Sequence, residues 1–378
     1  MECNYFGVCA SCTLYTMPYE EGLAHKCDTL MQDFAPYYSG EATRIASPQE
    51  HFRYRAEFRI WHEGEMHYAM THIDKKSVVT IDACAIVSPA IAALMPTLLE
   101  AIEGMSVDAP QLKRKLFGVD FLSTLSGEMV VTLLYHKVLD SAWQESATQL
   151  ASTLNIHLIG RSRKQKVVIG GDSVIEKLTI EGKEWRYMHT ENSFTQPNAQ
   201  VNQGMIGWVL SHLPHSKRDL LELYCGAGNF TLPLSRHFGR VVATEISKSS
   251  IKAAQTNCAL NGVDTIDFVR LSSEEFVQAY QKVRAFRRLE GIELDNYDFE
   301  AIFVDPPRSG LDETTRALAA QFDTIIYISC NPKTLLDDLA LLSRTHRVGH
   351  MAFFDQFAYT HHMEMGLILY AKHPKEHV

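Results

Sequence analysis

The sequence predicts an α/β protein, with a helix-wound parallel sheet in its C-terminal half and a smaller α+β unit before it. Three observations carry this. From Asp219 onward, short β-branched runs alternate with amphipathic stretches, the order that builds a parallel sheet. The first run ends in Cys225-Gly-Ala-Gly-Asn-Phe230, a glycine turn opening a helix. Between residues 41 and 185, half-exposed and antiparallel strand patterns mix with a helical one.

Composition sets the outer limits. A chain of 378 residues is long enough for two or three domains, and 46% hydrophobic with 21% charged residues is ordinary for a globular protein. Met1-Glu-Cys-Asn-Tyr-Phe-Gly has neither a basic flank nor an apolar core, so it does not read as a signal peptide. The longest apolar stretch, around Cys84 to Leu99, is too short and too Pro-interrupted to span a bilayer. Its Val87, Ile91, Leu94, Leu98 and Ile102 follow helical spacing and predict a core-facing helix. A net charge of −9 argues against coating nucleic acid by bulk electrostatics, while leaving room for local basic surfaces. Eight cysteines, clustered at the N-terminus and otherwise scattered, are not a secreted disulfide framework. A cytoplasmic location is expected, with no membrane association and no protein partner, as a monomer.

In chain order, residues 1–40 read as a cysteine arm, 41–185 as the α+β unit and 186–378 as the α/β domain. Cys3, Cys9 and Cys12 have the spacing of a metal or iron–sulfur half-site, because a two-residue gap lets two thiolates converge on one centre. A fourth ligand must come from elsewhere: Cys84, after a strand end, or Cys27, within a helical pattern. The alternative is a set of unligated thiols on a flexible arm. Arg53-Tyr-Arg-Ala-Glu-Phe-Arg-Ile-Trp61 alternates as a half-exposed strand does, and residues 116–122 and 128–135 read as two antiparallel strands. A helix over 141–154 and a strand over 155–160 follow. Three basic patches lie here: Arg53/Arg55/Arg59, Lys113/Arg114/Lys115 and Arg161/Arg163/Lys164/Lys166. Interleaved with Tyr54, Phe58, Trp61 and Phe117, they suit RNA, since aromatic rings stack on unpaired bases. A helix over about 200–213 precedes strands at 220–224, 240–245, 266–270, 299–304 and 324–329, and a charged excursion fills about 281–298.

The chemistry sits at the ends of these strands. Gly226-x-Gly228 lets backbone approach a ligand, and Glu245 ends the second strand, where a carboxylate accepts hydrogen bonds from ribose hydroxyls. Position 231 is Thr where a dinucleotide fingerprint has its third Gly, so the turn suits adenosine without pyrophosphate, a requirement S-adenosylmethionine meets. Asp305-Pro-Pro-Arg308 follows the fourth strand, and Arg308 stands where amino-group methyltransferases place an aromatic residue, favouring an anionic or carbonyl-bearing target. Cys330, in Tyr327-Ile-Ser-Cys330-Asn-Pro-Lys333, falls on a strand-to-helix turn, where a helix N-terminus is expected to lower its pKa. His361 and His362 match no metal-ligand spacing, whereas Glu364 suits a general base. A thiolate and a carboxylate together fit C5 methylation of uracil, by addition at C6 and proton removal at C5.

Asn192-Ser-Phe-Thr-Gln-Pro-Asn, Leu221-Glu-Leu-Tyr-Cys-Gly-Ala-Gly-Asn-Phe, Phe303-Val-Asp-Pro-Pro-Arg-Ser-Gly-Leu, Tyr327-Ile-Ser-Cys-Asn-Pro and Phe354-Asp-Gln-Phe-Ala-Tyr-Thr-His-His-Met-Glu resemble the RNA uracil-C5 methyltransferase family. The resemblance covers about residues 45 to 375 and is closest to the transfer-RNA branch that forms ribothymidine in the T-loop. It implies a class I, Rossmann-like domain using S-adenosylmethionine, with Cys330 as nucleophile and Glu364 as base. It places Gln196, Tyr224, Asn229, Glu245 and Asp305 around S-adenosylmethionine. Arg308 would contact the target nucleotide, and Phe117 and Arg59 would hold the T-loop of the tRNA, the target base being flipped out. One departure stands out: Cys3, Cys9 and Cys12, with Cys84, resemble the [4Fe-4S] site of the ribosomal-RNA branch. Ribosomal RNA is therefore the alternative substrate. A non-catalytic RNA-refolding role and a small-molecule methyltransferase are further readings, the latter leaving the basic–aromatic unit unexplained.

Overall fold

The structure is a computed structural model and describes residues 1–374, so the last four residues of the expected 186–378 unit lie outside it. Residues 1–18 are docked on the protein: Cys9 bridges His72, and the Ala10 amide donates to the Thr71 carbonyl at 2.9 Å. Helix α1 (Tyr19–Phe34) and the short strand β1 (Thr43–Ile45) follow.

The next unit contains β2 (Arg55–Glu63), β3 (Glu65–Thr71), β4 (Val78–Ile81), α2 (Pro89–Met105), β5 (Leu116–Ser123) and β6 (Met129–Tyr135). It is completed by α3 (Ser141–Leu154), β7 (His157–Ser162) and β8 (Gln165–Ile169). Its seven strands run in the order β4-β3-β2-β5-β6-β7-β8. The expected helix across the apolar stretch is α2, which starts where the Ser88 side chain accepts the Ile91 amide and buries Ile91, Leu94, Leu98 and Ile102. Asp140 caps the start of α3, and Asn155 ends it in the left-handed conformation. A hairpin, β9 (Ser173–Ile180) and β10 (Lys183–Thr190), then packs on helices of the C-terminal unit.

That unit comprises α4 (Ala199–Ser211), β11 (Asp219–Leu223), α5 (Thr231–Leu234), β12 (Val241–Thr244), α6 (Lys248–Asn261), β13 (Ile266–Val269) and α7 (Ser273–Tyr280). After the excursion come β14 (Phe299–Val304), α8 (Glu313–Ala319), β15 (Thr324–Ser329), α9 (Pro332–Leu342), β16 (His346–Phe354) and β17 (Glu364–Ala371). The eight-stranded sheet has the order β1-β16-β17-β15-β14-β11-β12-β13. β13, β12, β11, β14 and β15 are parallel neighbours, and β17 enters antiparallel between β15 and β16. Helices on both faces explain why β11 and β12 are buried at every position. Because β12 and β14 flank β11 on opposite sides, the sheet's switch point opens at the C-terminal end of β11.

Two segments cross the expected division of the chain. β1 pairs with β16 and extends the large sheet, and Tyr19, Leu23, Cys27 and Phe34 of α1 belong to that sheet's core. Strands β1, β3, β8, β9, β10, β16 and β17 are not legible in the sequence as separate elements. No helix among the described residues is long and apolar enough to cross a membrane.

The packing of α3 on β7 leaves no room at Gly160, where an added Cβ would lie 2.2 Å from the Trp143 ring. Gly160→Ala is expected to lower stability by about 1–3 kcal/mol. A thermal melt checks this, and an unchanged melting temperature would mean that α3 is not seated there.

Candidate active site

The glycine turn after β11 is built as the sequence required. Tyr224, Gly226 and Gly228 all have positive φ (63°, 55° and 84°), and a Cβ on Gly226 would point into open space. Glu245 bridges the turn to the next strand by accepting the Gly226 amide at 3.1 Å and the Ser247 amide at 2.7 Å. The Tyr224 hydroxyl donates to Ser273 at 2.8 Å. Asn229 forms a reciprocal amide pair with Asn202 (2.8 and 2.9 Å), which ties the turn to α4. The Gln196 side-chain oxygen is buried without a hydrogen-bond partner among the described residues, as a group awaiting a ligand would be.

Cys330 stands between the end of β15 and α9, whose N-cap is Asn331 with Pro332 in the first turn, as expected. The Asn331 side chain also donates to the Arg308 carbonyl at 2.8 Å, fastening the Asp305–Arg308 loop beside Cys330. A buried cluster supports this loop from behind. Asp338 accepts the Leu311 amide (2.9 Å), the Tyr327 hydroxyl (2.6 Å) and Arg316 (2.6 Å). Gly310, at φ 77°, is where an added Cβ would approach Asp338 to 2.9 Å. Arg308, Cys330, His361, His362, Lys333 and Phe34 line a cavity of about 390 Å³.

The expected acidic shift of the thiol is not found. Burial pushes the Cys330 thiol up, the Glu364 and Asp305 carboxylates push it further, and Arg308 opposes them. Desolvation and two nearby acids outweigh the helix N-terminus. The acids are perturbed as well. Burial raises Glu364 to about 8, with Asp305 adding to the effect, and one oxygen of Glu364 has no hydrogen-bond partner among the described residues. Asp305 keeps a partly open edge, yet the surrounding protein desolvates it and raises it to about 7. A third acid, Glu222 on β11, is fully enclosed and raised to about 8 by burial, with Asp305 contributing. Glu222 was read only as a strand residue. An acidic position within an otherwise apolar strand next to a ligand-binding turn was the available signal.

The RNA-facing expectations divide. Tyr54 and Phe58 are core residues, whereas Trp61 and Phe117 are exposed. Phe117 sits at a register shift in β5, which turns its ring outward between buried Leu116 and Gly118. It stacks on His136, a residue not singled out beforehand, with ring centres 3.9 Å apart and planes 10° from parallel. Both rings line a cavity of about 530 Å³ with Arg161 and Arg163. Arg59 lies exposed on β2, opposite Gly118. The basic patches are less uniform than the sequence suggested. Arg55 donates to the Ser193 carbonyl, Lys113 pairs with Glu103 at 2.7 Å, and Arg161 forms a two-point pair with Glu191 at 2.6 and 2.7 Å.

Comparison with known proteins shows the family and the fold. The tRNA (uracil-5-)-methyltransferase family model matches residues 18–372. The chain belongs to that family. A tRNA/tmRNA (uracil-C(5))-methyltransferase of Sulfurimonas denitrificans is 54% identical over 374 residues, covering 98% of this chain and 100% of the relative. One from Acinetobacter baylyi is 48% identical over 358 residues, covering 93% of this chain and 98% of its own. In fold, the chain is similar to the crystal structure of a Pyrococcus abyssi tRNA (uracil-54, C5)-methyltransferase in complex with S-adenosyl-L-homocysteine. The TM-score is 0.72 at 20% identity, covering 95% of this chain and 85% of that one. The enzyme is thus an S-adenosylmethionine-dependent methyltransferase of the class I fold, as its motifs implied.

The family match begins after Cys3, Cys9 and Cys12. These thiols and Cys84 line one cavity of about 530 Å³ between the arm, the seven-stranded sheet and residues 357–362. Burial raises the Cys12 thiol to about 12, with Cys84, Cys9 and Cys3 contributing, so the four sit within electrostatic reach. Cys27 is instead fully buried in α1, within the core of the large sheet. No three His, Cys, Asp or Glu side chains among the described residues are grouped so as to hold a single metal ion.

The raised carboxylates make stability pH-dependent. Glu222 binds its proton more tightly folded than unfolded, so its contribution is present at low pH and is lost as pH rises through about 8. Relative to the wild type, Glu222→Gln is expected to gain melting temperature steadily between about pH 5 and pH 8 and to level off above that. Parallel melts across that range check the sign, and a constant difference between the two proteins would show that Glu222 does not titrate there.

Proposed function

We propose that this enzyme methylates C5 of a uridine in the T-loop of transfer RNA through a covalent cysteine adduct. The observation carrying this reading is that Cys330 and Arg308 line one cavity beyond the switch point, with the Glu364 and Asp305 carboxylates within electrostatic reach of the thiol. S-adenosylmethionine supplies the methyl group, with Gln196, Tyr224, Asn229, Glu245 and Asp305 as the residues to hold it.

C5 of uracil is a weak nucleophile. The Cys330 thiolate, favoured by Arg308, adds to C6, and the electron pair of the 5,6 double bond moves to form an enolate. The C5 electron pair then takes the methyl group as the methyl–sulfur bond of S-adenosylmethionine breaks, leaving S-adenosylhomocysteine. Glu364, ionised, removes the C5 proton, the double bond re-forms, and the C6–sulfur bond breaks to release Cys330. A carboxyl with a pKa of about 8 is a stronger base once ionised than an exposed carboxylate, which suits removal of a carbon-bound proton. The stacked Phe117 and His136 rings, with Arg59 and Arg163 nearby, offer unpaired loop bases a platform and phosphates a cationic edge.

With RNA lacking this modification, Cys330→Ala is expected to abolish label transfer from S-adenosylmethionine, whereas Glu364→Gln transfers methyl and retains the RNA covalently on a denaturing gel. Label in transfer RNA that disappears when the T-loop uridine becomes cytidine supports the substrate assignment. Label in ribosomal RNA alone would replace it with the ribosomal reading, which the cysteine arm favours.

For the arm, we propose a [4Fe-4S] group held by Cys3, Cys9, Cys12 and Cys84 with a structural role, since no step above requires an electron. Its support is the shared cavity and the electrostatic influence of the other three thiols on Cys12. Anaerobically purified protein is expected to contain iron and acid-labile sulfide. Stoichiometric zinc without iron would refute the assignment.

A further inference from the structure

Residues 355–363 connect β16 to β17, leaving Phe354 and returning at its antiparallel partner, Glu364. Nothing in the local sequence explains how this loop keeps one shape. Asp355 and Gln356 are wholly buried at its start, and Tyr359 is held in the left-handed region at φ 60°. A bulky non-glycine residue stays there only when its surroundings over-determine it.

Those surroundings come from the other end of the chain. Lys26 of α1, 6% exposed, donates to Asp355 Oδ1 at 2.5 Å and to the His362 carbonyl at 3.3 Å. The Tyr19 hydroxyl donates to Asp355 Oδ2 at 2.9 Å and accepts the Ser47 amide at 2.7 Å. The Tyr359 carbonyl accepts the amides of Thr13 and Leu14, both at 2.8 Å, while the rings of Phe6 and Tyr19 pack on the Tyr359 ring. The gap left beside the ion pair measures only about 10 Å³, room for one water at most. At the far end of the loop, His362 Nδ1 faces Arg308 Nη2 at 3.5 Å, and Glu364 follows two residues later.

We propose that Lys26 and Asp355 are positioning residues for the methylation reaction. Their ion pair lets α1 hold both ends of the loop, so that His362 meets Arg308 and the Glu364 carboxylate faces the target C5. Cys330 is anchored independently, between β15 and α9. Loss of the tether therefore leaves the addition step available and impairs proton removal. The inference rests on the reading of Glu364 as the base.

The test uses the full chain carrying Lys26→Met together with Asp355→Asn, since removing both buried charges avoids the unpaired ion that either change alone would leave. The double variant is expected to melt near the wild type and to bind S-adenosylmethionine normally by calorimetry. Its turnover on transfer RNA should fall about 10–100-fold, with covalent enzyme–RNA adduct accumulating on denaturing gels. Lys26→Arg, which keeps the charge, should recover much of the turnover. Wild-type turnover in the double variant, or slower turnover without extra adduct, overturns the inference. Glu364→Gln runs alongside. Adduct there but none in the double variant defeats this inference alone, whereas no adduct in Glu364→Gln defeats the underlying reading and this one with it.

Discussion

Desolvation at the C-terminal edge of the parallel sheet is the constraint on which the site depends. The ends of β11, β14 and β15 and the start of β17 bring Glu222, Asp305, Cys330 and Glu364 to one edge of the sheet, where burial desolvates each of them. Each group is acidic and held towards its neutral form by burial, and nearby carboxylates add to this at Glu222, Cys330 and Glu364. A reaction that makes a thiolate and then requires a carboxylate base works against that tendency. Arg308 is the cationic counterweight within the chain itself, and a cationic methyl donor is a natural complement to such a surface.

Rigidity around this space comes from connections hidden beneath it. Asp338 gathers Tyr327, Arg316 and the Leu311 amide under the Asp305–Arg308 loop, and Asn331 joins α9 to the same loop. On the other side, α1 contributes Phe34 to the wall of the cavity and Lys26 to its loop. The N-terminal segment, which resembles an appendage in sequence, forms part of the wall and support of the Cys330 cavity. The thiol cavity lies against the same loop through Phe357, Thr360 and His362, so any group bound there would brace that loop.

The α+β unit presents a different surface chemistry. Much of its basic charge is spent on pairs within the protein, as at Arg161–Glu191 and Lys113–Glu103. Exposed on this unit are a stacked Phe117–His136 pair rimmed by Arg163, Arg59 on the neighbouring strand, and the basic side chains of Arg114, Lys115 and Lys164. Selectivity for unpaired bases fits this arrangement better than indiscriminate attraction to phosphate, in keeping with a net charge of −9.

The sequence by itself determined the local grammar of the catalytic half. The runs at 299–304 and 324–329 became strands with those bounds, the glycine turn formed after β11, and Cys330 fell at a capped strand-to-helix junction. These features depend on residues a few positions apart, where periodicity, caps and positive-φ glycines leave few options. Tertiary structure alone decided the direction of the thiol's pKa, the stacking of His136 on Phe117, the docking of the cysteine arm and the entry of β1 into the large sheet. Lys26 and Asp355 are 329 positions apart. Burial and charge pairing act through space at full strength across any sequence separation, and no pattern along the chain records which distant groups will share a desolvated pocket.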